Sequence, residues 1–86
     1  MVEHELHIMN PTGLHAHPAS MFCTIAGKYK CNVMLYFKGK EVNGKSPMSV
    51  MAGGIKMGSR VVLNCNGEDE ADAIQALTVF IKNLEE

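Results

Sequence analysis

The sequence predicts an α+β fold, an open-faced β-sandwich in which a four-stranded antiparallel sheet is covered on one face by three helices, in the order βαββαβα. Three observations carry that expectation. Four short segments alternate apolar and polar residues, as half-buried strands do. Two segments place their apolar residues at helical spacing, and a short one between them is bracketed by a Ser-Pro start and a Gly-Gly stop. With 86 residues, 47% of them apolar, the chain has material for one shared core, so a single domain over 1–86 is expected.

The first strand runs from Glu3 to Met9, with His4, Leu6 and Ile8 on one side and Glu3, Glu5 and His7 on the other. It ends at Asn10-Pro11-Thr12-Gly13. A helix is expected to start at about His15, with Phe22, Ile25, Ala26 and Tyr29 on its buried stripe and Pro18 early enough to remove no intrahelical bond. Asn32 to Phe37 alternates again, and Lys38-Gly39 offers a two-residue turn into a third strand, Lys40 to Asn43. Ser46 caps a short helix with Pro47 at its first position, and Gly53-Gly54 supplies a left-handed stop. Arg60 to Asn66 reads as the fourth strand, with Val61, Leu63 and Cys65 inward. The acidic run Glu68-Asp69-Glu70 suits a positive helix N-terminus. Behind it Ala73, Ile74, Leu77, Phe80, Ile81 and Leu84 form the stripe of the last helix. The outer face of the sheet is expected to be solvated, with Glu5, His7, Asn32, Asn64 and Asn66 upon it.

Eight Lys and Arg against nine Asp and Glu leave a net charge of −1, with no Trp, two Tyr and three Phe. That is no basic, aromatic-studded surface, so nucleic acid is not an expected partner. No apolar run approaches the roughly 18 residues a membrane span needs, and the first residues carry acids where a signal peptide carries Lys or Arg. A cytoplasmic protein is expected. Cys23, Cys31 and Cys65 contain no Cys-x-x-Cys pair and are odd in number, so they read as small buried hydrophobes.

Reactive groups concentrate in Thr12-Gly13-Leu14-His15-Ala16-His17-Pro18, two imidazoles where a loop enters a helix. A helix N-terminus presents unpaired N–H groups and the positive end of its dipole, which disfavours a protonated ring and favours an anion. His15 held neutral there keeps a lone pair, acts as a nucleophile, and would carry an accepted phosphoryl group among those same donors. Ser46 caps a second helix start, where a phosphoserine is tolerated while adding charge. His4 and His7 read as structural or solvated. No Asp or Glu lies in the segment around His15 to orient it, and the chain leaves no room for a deep substrate cleft. It reads as a substrate of other enzymes, not an enzyme, and no cofactor is implied.

Gly13-Leu14-His15-Ala16-His17-Pro18-Ala19 closely resembles the active-site segment of the HPr family, the histidine phosphocarriers of the bacterial phosphoenolpyruvate-dependent sugar phosphotransferase system. Asn43-Gly44-Lys45-Ser46-Pro47-Met48-Ser49-Val50-Met51 resembles the family's regulatory-serine segment, and the likeness spans the whole chain. The resemblance implies that His15 accepts a phosphoryl group at Nδ1 from enzyme I and passes it to a sugar-specific enzyme IIA. It implies stabilisation by main-chain N–H groups at Ala16 and His17, and docking through Thr12, Ser20, Thr24, Met48, Met51 and Gly54. It further implies Ser46 as the target of an HPr kinase/phosphorylase, a transcriptional regulator among the partners, and a monomer. Two positions depart from the family. His17 stands where an arginine is typical, and a guanidinium's permanent forked charge is not reproduced by imidazole; Pro47 stands where an aliphatic residue is usual. The alternatives are a regulatory paralogue acting mainly through Ser46, and a weak metal-binding module using His15 and His17, whose i, i+2 spacing suits a shared ion poorly.

Overall fold

A computed structural model describes residues 1–86. The elements are β1 (Val2–His7), α1 (His17–Ala26), β2 (Asn32–Phe37), β3 (Lys40–Asn43), α2 (Pro47–Ala52), β4 (Arg60–Asn66) and α3 (Glu70–Lys82). The strands form one sheet in the order β1-β4-β2-β3, and every neighbouring pair is antiparallel. This is the expected open-faced architecture.

Register explains which residues face inward. His4 lies opposite Leu63, Leu63 opposite Leu35, and Leu35 opposite Val42, so these four form one row on the helix-covered face. That row gives His4 its structural role, because its Nδ1 lies 3.1 Å from the Thr78 hydroxyl on α3. The outer face is less solvated than expected at one point. Asn64 is buried, because β4 is an inner strand and its outer neighbours Glu3 and Met34 flank it. Its amide is satisfied by donating to Glu3 Oε2 at 3.0 Å, as a buried polar group requires.

Of the expected stripes, Phe22 and Ala26 of α1 and Ala73, Leu77 and Ile81 of α3 are buried, while Ile25, Ile74 and Phe80 are half-buried against the core and Tyr29 and Leu84 pack there from beyond the helix ends. Pro18, Ala19 and Cys23 of α1, Val50 of α2 and Thr78 of α3 are buried as well. Phe22 and Phe80 join α1 to α3 as a tilted pair with ring centroids 6.4 Å apart, an arrangement that the ring quadrupoles favour. Lys38 and Gly39 both have positive φ, 50° and 78°, the mirror turn whose twist matches a two-residue hairpin. Ser46 Oγ accepts from the Ser49 amide at 3.2 Å and Pro47 opens α2. Of the two stop glycines, Gly53 stays helical at φ −67° and only Gly54 is left-handed, at φ 70°. No helix is long and apolar enough to cross a membrane.

The acidic run does something other than cap. Asp69 makes no capping bond within α3; its carboxylate accepts from the amides of Lys30 and Cys31 at 2.7 and 2.9 Å. Glu70 accepts from the Gly67 amide and from the N-terminal ammonium. These bonds tie the β2 approach to the start of α3, at the end of the sheet opposite the turn that follows β1.

Candidate functional site

The sheet topology brings the loop after β1, the 53–59 loop and the residues after α3 to one end of the molecule. Ile8 donates to the Ser59 carbonyl at 2.8 Å, and Leu14 to the Ile55 carbonyl at 3.0 Å. The Thr12 amide donates to the main-chain oxygen of Glu86 at 3.0 Å. Gly13, at φ 70°, lies so close that a Cβ there would stand 2.5 Å from Lys56 Cα and 2.6 Å from the Ile55 oxygen. Asn10 completes the seat. It is buried, its Nδ2 donates to the Gly13 carbonyl at 2.9 Å, and its own carbonyl accepts from the Gly13 amide at 3.2 Å.

With Leu14 buried and pinned, and Pro18 and Ala19 buried at the start of α1, the three residues between must reverse the chain in the open. The helix therefore begins at His17 and not at about His15 as expected. Ala16 takes the turn at φ 56°, ψ −128°, a region suited to glycine that costs an alanine on the order of 1–3 kcal/mol. The fixed flanks hold it there. His15, Ala16 and His17 are all exposed.

The consequence is an open anion cradle. α1 has no side-chain cap and no acidic residue in its first turn, and the amides of Ala16, His17 and Ala19 make no hydrogen bond within the chain. Unpaired helix-start donors of this kind favour a negative group by about 0.3–1 kcal/mol at an exposed site. His15, one residue ahead of the cap, stands at its edge.

Of the expected docking residues, Thr12, Ser20, Thr24 and Gly54 are exposed, Met48 is 79% exposed, and Met51 is half-buried against the core. Ser20 and Thr24 share one face of α1 with His17 and line a shallow depression floored by Met21, Ile25 and Phe80. α2, carrying Met48 and Met51, packs against α1. Ser46 is half-buried, its hydroxyl oxygen engaged in the cap.

Glu86 is the site residue that local sequence reasoning misses. Its carboxylate meets His17 Nδ1 at 2.9 Å from 69 positions away, so no spacing pattern reveals it. No group of three or more His, Cys, Asp or Glu is placed to hold a metal. The three thiols are free and buried. Burial, with Cys31 beside it, pushes the Cys65 thiol up to about 12, so these residues act as the small hydrophobes expected of them.

A family model described as the PTS HPr component phosphorylation site matches residues 2–83. The chain belongs to the HPr family. Solved HPr structures agree over nearly the whole length. HPr from Thermoanaerobacter tengcongensis is 40% identical over 95% of this chain and 92% of its own, with a TM-score of 0.93. The phosphocarrier protein HPr from Bacillus anthracis str. Ames is 30% identical over 93% of this chain and 95% of its own, with a TM-score of 0.89. Crh, a catabolite-repression protein of Bacillus subtilis described as a domain-swapped dimer, is 35% identical over 100% of this chain and 98% of its own, with a TM-score of 0.78. The HPr fold is thus that of phosphocarriers of the phosphotransferase system, a family of carriers generally without enzymatic turnover.

Proposed function

We propose that this protein is a phosphocarrier that accepts a phosphoryl group on His15 from phospho-enzyme I and passes it to a sugar-specific enzyme IIA in the cytoplasm. The observation that carries the reading is the exposed His15 one residue ahead of an uncapped helix whose amides at Ala16, His17 and Ala19 are unpaired. On arrival a lone pair on the His15 ring attacks phosphorus, and the new N–P bond forms as the donor's bond to phosphorus breaks. The departing group keeps its electron pair, and the onward transfer reverses the roles. Attack through Nδ1 of His15 is what family membership supports.

The cradle suits a carrier because its stabilisation is modest. Donors contributing about 0.3–1 kcal/mol ease the arrival of a dianion without trapping it, so the group can leave again for the next acceptor. Around it, Thr12, Ser20, Thr24, Met48, Met51 and Gly54 form the proposed docking surface. Exposed methionine adapts to several partners, and a monomer leaves that face free. Ser46 is the proposed regulatory acceptor for an HPr kinase/phosphorylase: a phosphoryl group there adds about −1.5 to −2 charge beside Met48 and Met51 and weakens docking of enzyme I.

Incubation with phosphoenolpyruvate and enzyme I tests the reading. Acid-labile label should appear on the wild type and vanish in His15→Ala. Labelling that survives the substitution overturns it.

A further inference from the structure

We propose that the depression between the β2–β3 turn and the start of β4 is a docking site for an acidic segment of a partner protein. It shares no residue with the surface proposed for phosphoryl transfer.

The fold gathers cations there from separate parts of the chain. Tyr36 lies opposite Val62, so two residues further on the Lys38 turn comes level with Arg60. Lys56 is brought in by the loop ahead of β4, which closes on itself. Its amide donates to Ser59 Oγ at 3.1 Å, and the Ser59 amide donates to the Lys56 carbonyl at 3.0 Å. Lys38, Lys56 and Arg60 border a depression of about 440 Å³ that no carboxylate lines. In a chain of net charge −1, that is a local excess of positive charge.

Contacts within the chain leave this charge uncompensated. Lys38 Nζ stands 5.3 Å from the centre of the Phe37 ring, which steadies the ammonium against the wall without neutralising it. Arg60 Nη1 approaches Glu5 Oε1 at 3.6 Å, between side chains 65% and 62% exposed, a contact worth little in water. Lys38 and Lys56 form no ion pair. Cations gathered without counter-charge raise a positive potential that attracts acidic groups and steers their approach.

Met57 decides which acidic occupant fits. It is 59% exposed and lines the same depression. A small anion would meet three exposed, hydrated cations and leave the thioether in water. A protein segment that sets carboxylates around an apolar side chain pairs the cations and covers Met57 together, the apolar centre and polar rim of a protein interface. Methionine adapts its shape to such a contact. Lys56 Cα also lies against Gly13, so the site adjoins the loop that carries His15 and is continuous with the transfer surface.

Amide NMR of the full chain at low salt, titrated with a blocked peptide of glutamates around a single leucine, tests the proposal. The amides of Lys38, Met57, Gly58, Ser59 and Arg60 should shift together and saturate, and the shifts should fade as salt is added. Lys56→Gln and Arg60→Gln should each weaken binding by about two- to fivefold, the size of an exposed ion pair, with the rest of the spectrum unchanged. Met57→Ser should weaken binding of this peptide but not of a glutamate peptide that lacks the leucine. No saturable shift, shifts centred elsewhere, or an affinity indifferent to these substitutions overturns the proposal. Inorganic pyrophosphate that saturates the same amides at lower concentration than the peptide also overturns it, because the site then serves a small anion.

Discussion

Gly13→Ala tests the seat on which the His15 loop rests. The new methyl group would stand 2.5 Å from Lys56 Cα and 2.6 Å from the Ile55 oxygen, both main-chain atoms that cannot swing away. At φ 70° an L residue also costs about 1–2 kcal/mol. Overpacking of this kind adds about 1–3 kcal/mol, and the stiffer unfolded chain returns about 0.4–1 kcal/mol. The net loss is about 1–5 kcal/mol, with a midpoint of about 3 kcal/mol. Gly54→Ala is the matched control, since Gly54 has the same φ of 70° but nothing within 4 Å of its Cβ position; its loss should be about 1 kcal/mol. Urea denaturation of the two variants beside wild type gives the difference directly. In thermal unfolding Gly13→Ala should lower Tm by roughly 8 °C or more, at about 4–8 °C per kcal/mol for a domain of this size. If the two variants lose the same stability within experimental scatter, the loop is not seated on Ile55 and Lys56, and the account of how His15 is presented fails.

Acid should weaken the tie between Asp69 and the β2 approach. The Lys30 amide chiefly holds the Asp69 carboxyl below the usual carboxylate range, with desolvation opposing and the Cys31 amide assisting. A depressed folded value means that the stabilisation is full above the unfolded pKa of about 3.9. It is lost as pH falls through the folded value. The stability gap between wild type and Asp69→Asn should hold from pH 7 to 5 and close below about pH 4; a gap independent of pH refutes the assignment. Cys65, pushed up to about 12 by burial, should resist alkylation by iodoacetamide at pH 8 in the native protein and react only after unfolding. Rapid native labelling would contradict its burial.

Much of the fold was legible because alternation and helical spacing are local signals. Val33, Leu35 and Phe37 mark one face of β2, and Ala73, Leu77 and Ile81 mark one stripe of α3, without knowledge of any other element. What local reading missed depends on distant neighbours. Asn64 looks like a solvated residue until β4 is known to be an inner strand. Asp69 and Glu70 do stand at the start of α3, as the acidic run suggests, but the bonds from the Lys30 and Cys31 amides to Asp69 appear only when the fold brings them there. The start of α1 moves to His17 because Leu14 is tied to Ile55 across 41 positions, a constraint no helix-start signal encodes. For the site, the residue types and their order identified His15, Ala16 and His17 as a unit. The long-range partners Glu86, Ile55 and Lys56, and the buried side chain of Asn10, came only with the fold.

The central claim is that a phosphoryl group on His15 is received by main-chain amides at the start of α1. Two-dimensional amide NMR before and after phosphorylation tests this most directly. The account predicts that the largest amide proton shifts, downfield, fall on Ala16, His17 and Ala19, with β2 and β3 unmoved. Large shifts elsewhere, with those three amides unchanged while label sits on His15, would contradict it.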